Sequence, residues 1–323
     1  MTTIYWLRND LRLHDNECLQ QAIATSQPVL MVYCFDLQQF EMLNIGFRKT
    51  GYLRFRFLCE SLKDLSEKCR SMGGNLLIKI GDPAVVLEKL ITSYRADILI
   101  YQEEIGSEEK KTEQKVKERA NQMNCRVQPI WGKTLYHIDD APFTPDDTPL
   151  TSKAFRINLT KKAEVRSVFP TPTQLPALPN IADWGSLPDP SELGFTKEEI
   201  GVPTNSNFIG GESAALDRLY YYSFETELLT SYRWTRNRSL GMDYSSKFSP
   251  WMALGCLSPR QIYWTVKDYE QKIKKNQSTW WIIFEVVWRD YFKFLGLRFG
   301  NRIFSEGGIK NREVDWQYDE KLF

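Results

Sequence analysis

Five short runs of β-forming residues alternate with four helix-period segments over the first 130 residues, and few folds accept that order. The runs are Ile4–Leu7, Val29–Phe35, Leu76–Ile80, Asp97–Tyr101 and Arg126–Ile130. The segments between them are Glu17–Ala24, Tyr52–Met72, Ala84–Tyr94 and Glu108–Met123, each able to serve as a crossover helix. Strand–helix alternation predicts an α/β fold, a doubly wound parallel sheet with helices on both faces. Right-handed crossovers place ligand sites at the carboxyl ends of the strands. The charged loop Arg8-Asn9-Asp10-Leu11-Arg12 follows the first run and sits at such an end. Its charges suit a local salt-bridge web as well as a ligand. No GxGxxG follows the first run and no Walker A pattern occurs, so NAD and ATP have no motif support.

From Gly132 to Gly211 the periodicities weaken and ten of the 15 prolines appear. Pro170-Thr-Pro, Pro176-Ala-Leu-Pro and Leu187-Pro-Asp-Pro continue neither helices nor central strands. Helical patterns dominate from Glu212 onward. The expected organisation is an α/β domain over 1–131, a linker draped over one domain at 132–211, and an all-α domain over 212–323.

Composition excludes several classes. Formal net charge is +1, so any nucleic-acid surface must be local. The six cysteines (Cys18, Cys34, Cys59, Cys69, Cys125, Cys256) contain no CxxC, which suits reduced thiols in a cytoplasmic protein better than a disulfide framework or zinc site. The two histidines, His14 and His137, rule out a histidine-rich metal centre and offer little to a Ser-His-Asp hydrolase. His137, after a tyrosine in a strand-like stretch, reads as a structural imidazole. Arg8, Asp10 and Arg12 interrupt any signal peptide, and no run is long enough to span a membrane.

Two stretches of the helical half stand out. In Asp243–Trp251, Ser249 stands where an N-cap belongs and Pro250 where a first helical residue belongs. With the hydroxyls of Ser245 and Ser246 beside it, this reads as a phosphate cradle or as an ordinary capped helix start. In Thr279–Phe292, a hydrophobic helix carries Glu285, Trp288 and Arg289 at spacings of three and four, so one face is expected to present carboxylate, indole and guanidinium together. The alternative is a structural Glu–Arg pair.

Read in order, these stretches resemble the photolyase/cryptochrome family, most closely its cryptochrome-DASH subgroup. The resemblance runs through Tyr5–Arg12, Lys49–Arg54, Thr134–Asp140, Thr235–Asn237, Asp243–Pro250, Ala253–Arg260 and Glu285–Phe292. It implies an antenna-binding α/β domain, with a folate (5,10-methenyltetrahydrofolate) as antenna, and a helical domain holding FAD. On that reading Tyr232, Ser245, Ser246, Lys247, Phe248 and Ser249 contact the FAD phosphates, and Arg289 lies by the flavin. Glu285 and Trp288 face a flipped pyrimidine dimer, the acid hydrogen-bonding the base, while Arg236 meets DNA phosphate. Glu60 and Gln102 are the implied folate contacts.

The implied activity is light-driven reversal of cyclobutane pyrimidine dimers, preferring single-stranded DNA, by a carbon–carbon lyase acting as a monomer. Arg233, Arg236, Arg238, Lys247, Arg260, Arg298, Arg302 and Arg312 form either a basic track or a solvated face. The alternatives are a blue-light photoreceptor that binds DNA or a partner and signals without repair, and an antenna-domain protein without photochemistry. Two departures from the family pattern are Ile282, where conventional photolyases carry a tryptophan, and the end at Phe323, which reads as a C-terminal truncation of the helical domain.

Overall fold

A computed structural model of the chain describes residues 1–202, 208–238 and 241–319. Positions 203–207 of the expected linker and 239–240 and 320–323 of the expected helical domain lie outside them. Strands β1 (Thr2–Leu7), β2 (Val29–Phe35), β3 (Leu76–Ile80), β4 (Ala96–Gln102) and β5 (Arg126–Ile130) form one parallel sheet in the order β3-β2-β1-β4-β5. Helices α1 (Glu17–Ala24), α2 (Tyr52–Ser71), α3 (Pro83–Tyr94) and α4 (Ser107–Gln122) supply the crossovers. The five runs and four segments of the sequence reading are thus all present, with ends moved by one or two residues.

Strand periodicity divides the interior. Ile4, Trp6, Leu30, Val32 and Leu77 face one side and pack with Leu87, Ile91, Val116 and Ala120 of α3 and α4. Tyr5, Leu7, Met31 and Phe35 face the other and join a much larger core. That core takes in Leu62 and Leu65 of α2 and Leu175, Leu193 and Phe195 from the proline-rich stretch. It continues into the helical half through Leu219, Trp251, Ile262, Val287 and Phe294.

Among its described residues the stretch 132–211 holds two α-helices, α5 (Ser152–Lys162) and α6 (Lys197–Ile200). Neither was foreseen. Beyond it come α7 (Glu212–Tyr220), a five-residue π turn at Tyr221–Glu225, α8 (Tyr232–Thr235), α9 (Ser249–Leu254), α10 (Pro259–Lys272) and α11 (Gln277–Phe299). Asn276 caps α11 by accepting from the backbone N–H of Ser278 (2.8 Å) and Thr279 (3.1 Å). Among the described residues no helix is long and apolar enough to cross a membrane.

Buried polar bolts tie the halves together. The fully buried Asp15 accepts a bidentate pair from Arg260, at 2.8 and 2.9 Å. Arg260, a candidate for the basic track, is therefore an interior residue, because its guanidinium serves Asp15. Glu212 at the start of α7 accepts from the backbone N–H of Leu13 and His14, pairs with the His14 ring and is salt-bridged to Lys68. These donors hold its carboxyl down at about 2 against the opposing push of burial. Gly255 ends α9 at φ +71°, and a Cβ there would stand 2.0 Å from the Asn9 carbonyl oxygen. Only glycine lets the helical half approach the β1 loop so closely. His137 lies in no strand; its Nδ1 accepts from the Asp139 N–H (3.2 Å) and caps a 3₁₀ turn.

Candidate functional site

The strand order reverses direction beside β1, so a crevice opens between the ends of β1 and β4. The charged loop after β1 fills it. Asp10 is wholly buried and accepts from the Tyr5 hydroxyl (2.6 Å) and the Arg8 N–H (2.8 Å). Asn9 donates to Glu104 (2.9 Å), and Glu104 is also paired with buried Lys133. Gln102, 2% exposed, donates to the Asn9 carbonyl (3.1 Å). Much of the loop's charge is therefore spent on a local web. Gln102 nevertheless lines a polar cavity of about 200 Å³, with Arg12, Lys133, Arg289 and Lys293 on its other walls.

A cavity of about 850 Å³ lies on the far side of Arg289 and Lys293, within the usual range for ligand and cofactor sites. Tyr232, Ser245, Ser246, Lys247, Phe248 and Ser249 form one wall, and Ile282, Glu285, Val286, Arg289, Phe292 and Lys293 of α11 form another. The serine loop is held from behind by Arg218 of α7. Its guanidinium donates to the carbonyls of Met242 (2.7 Å), Ser245 (3.2 Å) and Ser246 (3.1 Å) and to the Asp243 carboxylate (3.0 Å). Spending these acceptors on Arg218 leaves the loop's donors for the cavity. No described residue bonds the hydroxyls of Ser245, Ser246 or Ser249. Lys247 sits at φ +57°, a left-handed conformation uncommon outside glycine and asparagine.

One local expectation fails. Ser249 is the first helical residue and not the N-cap: Phe248 precedes it with helical angles (φ −71°, ψ −18°) and α9 has no side-chain cap. Proline is tolerated at either of the first two helical positions, so Pro250 fits both registers.

The α11 wall separates three residues that the sequence put on one face. Glu285 accepts from the Trp281 indole N–H (3.0 Å) and faces Arg236 (3.4 Å). Arg289 does not pair with it; its guanidinium donates to the carbonyls of Lys133 (2.6 Å) and Met252 (3.3 Å). Trp288 does not line the cavity; it packs edge-on against Phe284 and Tyr291 and at a tilt against Phe292. At about 100° per residue, position 289 lies roughly 40° from 285, whereas 288 lies roughly 60° away in the opposite sense. The lining positions 282 to 293 span roughly −20° to +100° around the helix from 285, so Arg289 falls inside that arc and Trp288 outside it. Glu60 lies on the wall of neither cavity; it accepts from the Gly210 N–H (2.7 Å) and faces Arg56 (3.4 Å). Glu60 and Gln102 therefore share neither of these two cavities.

The cavity is electrostatically positive. Among the described residues no carboxylate bonds Arg289, and burial lowers its proton affinity. Burial, Arg289 and Lys133 bring Lys293 down to about 7. Burial, followed by the charge of Glu285, raises Tyr232 to about 12. Arg218 and Lys133 went unnoticed in the sequence, since their partners lie more than twenty positions away; Lys293 was also missed, although it follows Arg289 by four residues on the same helix.

Asp290 faces away and bolts α11 to the loop after β5. It is fully buried and accepts from the N–H of Leu135 and of Tyr136, both 3.1 Å. Burial outweighs these donors and Arg289, raising its carboxyl from 3.8 to about 7. A raised acid binds more protons folded than unfolded, so its contribution is fully present below pH 4 and lost as pH climbs through 7. Asp290→Asn is expected to flatten the pH dependence of the urea midpoint between 4 and 7, and to cost about 1–3 kcal/mol for the N–H left unpaired. An unchanged slope would assign that dependence to other groups.

A doubly wound domain joined through buried charge pairs to a helical half, with a positive cavity at the serine loop, defines the class. The family model described as DNA photolyase matches residues 3–179, and the chain belongs to that family, the photolyases and cryptochromes. A cryptochrome DASH of Danio rerio is 42% identical over 325 residues, covering all of this chain and 62% of that protein. The chloroplastic/mitochondrial cryptochrome DASH of Arabidopsis thaliana is 41% identical, covering 99% and 57%. A solved Synechocystis cryptochrome superposes with a TM-score of 0.93 at 39% identity, covering 99% of this chain and 66% of that one. A class III photolyase of Agrobacterium tumefaciens, at 24% identity and a TM-score of 0.81, shares the fold. The chain spans about three fifths of the length of the curated relatives it matches.

Proposed function

We propose that the chain carries out light-driven reversal of cyclobutane pyrimidine dimers, preferring single-stranded DNA, with FAD in the large cavity and a folate antenna. The observation that carries this reading is the sharing of one cavity by Glu285, Arg289 and the serine loop. The lining suits FAD. Three free hydroxyls and Lys247 can hold a pyrophosphate, Ile282, Val286 and Phe292 can flank a flat ring, and Arg289 can balance negative charge upon it. The chemistry supplied by reduced FAD when bound is one photo-excited electron, lent to the dimer and returned after the ring opens.

The protein's own residues would bind, orient and exclude water. Glu285, fixed by Trp281 and Arg236, offers its carboxylate to a base N–H at the cavity wall, and Arg236 can meet the adjoining phosphate. Gln102 and Glu60 remain the proposed folate contacts, Gln102 from the wall of the smaller cavity. The proposed setting is the cytoplasm, with the protein a monomer. The six cysteines are free thiols, five of them buried.

A second reading, a blue-light photoreceptor that signals without repair, draws support from Trp288, which lies in an aromatic cluster instead of on the cavity wall. Purified protein loaded with FAD, reduced and illuminated with a dimer-containing single-stranded oligonucleotide, distinguishes the two. Restoration of the thymine absorbance is the expected result. Flavin bands without restoration favour the photoreceptor.

A further inference from the structure

We propose that the smaller cavity, where the β1 loop meets α11, binds one tetrahedral oxyanion of the sulfate or phosphate kind. Its cationic walls are Arg12, Lys133, Arg289 and Lys293. At about 200 Å³ the cavity lies below the usual span of pockets for organic ligands, yet it has room for a small ion and a few waters. The occupant is therefore a species separate from FAD and from folate, and the inference does not depend on what fills the larger cavity.

Charge balance carries the argument. Among the described residues four cations line the cavity and one carboxylate, Glu104, faces them. Glu104 is taken up by Lys133 and by the Asn9 amide (2.9 Å). Arg12, 3% exposed, donates to the carbonyls of Asp15 (2.9 and 3.3 Å) and Gly255 (2.9 Å), and Arg289 likewise donates to carbonyls. Among the described residues no carboxylate bonds either guanidinium, and Lys293 has neither a hydrogen bond nor an ion pair. Two further acids, Asp10 and Asp290, stand outside the lining. Their oxygens are spent on the Tyr5 hydroxyl and on the N–H groups of Arg8, Leu135 and Tyr136. Counting both as ionised sets three carboxylates against four cations, and burial raises both carboxyls, which enlarges the excess. The repulsion shows at Lys293, brought down to about 7 by burial and by the charges of Arg289 and Lys133. An anion among the four pulls that ammonium back up and accepts from N–H groups that both guanidinia have to spare.

The test is calorimetric titration of the full chain with sodium sulfate at fixed ionic strength, with and without FAD. One sulfate per chain is expected in both conditions. Lys293→Met should weaken it about ten- to a hundred-fold, the worth of a hydrogen bond to a charged group, and Lys293→Arg should restore most of it. Without sulfate, Lys293→Met should melt as high as the parent, since the ammonium supports no described partner; with sulfate it should lose the rise that the parent shows. The empty site sheds its Lys293 proton above about 7 and sulfate takes one up, so affinity should fall by about ten-fold per pH unit there. Sulfate does not titrate in that range, and Lys293→Met should abolish the slope. Absence of saturable binding would overturn the site, as would a Lys293→Met chain that binds like the parent. Displacement of the sulfate by FAD, or its loss in Ser246→Ala, would put the anion at the serine loop of the larger cavity and overturn the site as well.

Discussion

Glu285→Ala is expected to weaken binding of a dimer-containing single strand about ten- to a hundred-fold, the usual worth of a hydrogen bond to a charged group, and to lower repair at sub-saturating substrate in proportion. Flavin retention should not change, because the serine loop and Arg289 are held by Arg218, Lys133 and Met252, none of which touches Glu285. The substitution also frees the Trp281 indole and Arg236. Glu285→Gln separates the two effects: it keeps an acceptor for the indole and loses the charge facing Arg236. Oligonucleotide titration and repair kinetics, run beside a flavin spectrum, read both. Repair by the alanine variant at the parent rate would remove the role assigned to Glu285.

Gly255→Ala should be strongly destabilising. A side chain at φ +71° costs about 1–2 kcal/mol, and overpacking typically adds 1–3 more. Here the obstacle is the Asn9 backbone, 2.0 Å from the added carbon, which no rotamer change relieves. Two bonds cross the same junction, Leu11 N–H to the Leu254 carbonyl (3.2 Å) and Arg12 to the Gly255 carbonyl (2.9 Å). The expected total of about 2–5 kcal/mol corresponds to a fall in melting temperature on the order of 10 °C. A shift of less than about 2 °C would show that the junction yields by moving the β1 loop bodily.

The α/β half was legible because its signals are local. Strands such as Val29–Phe35 are continuous apolar runs, and helices such as Pro83–Tyr94 have an aspartate cap and a proline in their first turn. The helix Ser152–Lys162 was missed because it buries only Phe155 and Leu159, too few anchors to set a period amid prolines. The membership of Glu285 and Arg289 in one wall was readable from a four-residue step. The departure of Trp288 from that wall needed the position of the neighbouring rings. The hold of Arg218 on the serine loop was invisible, since no sequence rule connects a residue to carbonyls more than twenty positions away. Asp290 was hidden in the same way: its partners are the backbone N–H groups of Leu135 and Tyr136, which carry no side-chain signature.

The larger core runs without a seam from Tyr5 to Leu295, and the Asp15–Arg260 and Glu212–His14 contacts stitch it across the same boundary. A gene cut near codon 131 would divide an interior, not a string of beads. Each fragment would carry half of a dry surface and charges stripped of their mates, so neither is expected to fold without the other.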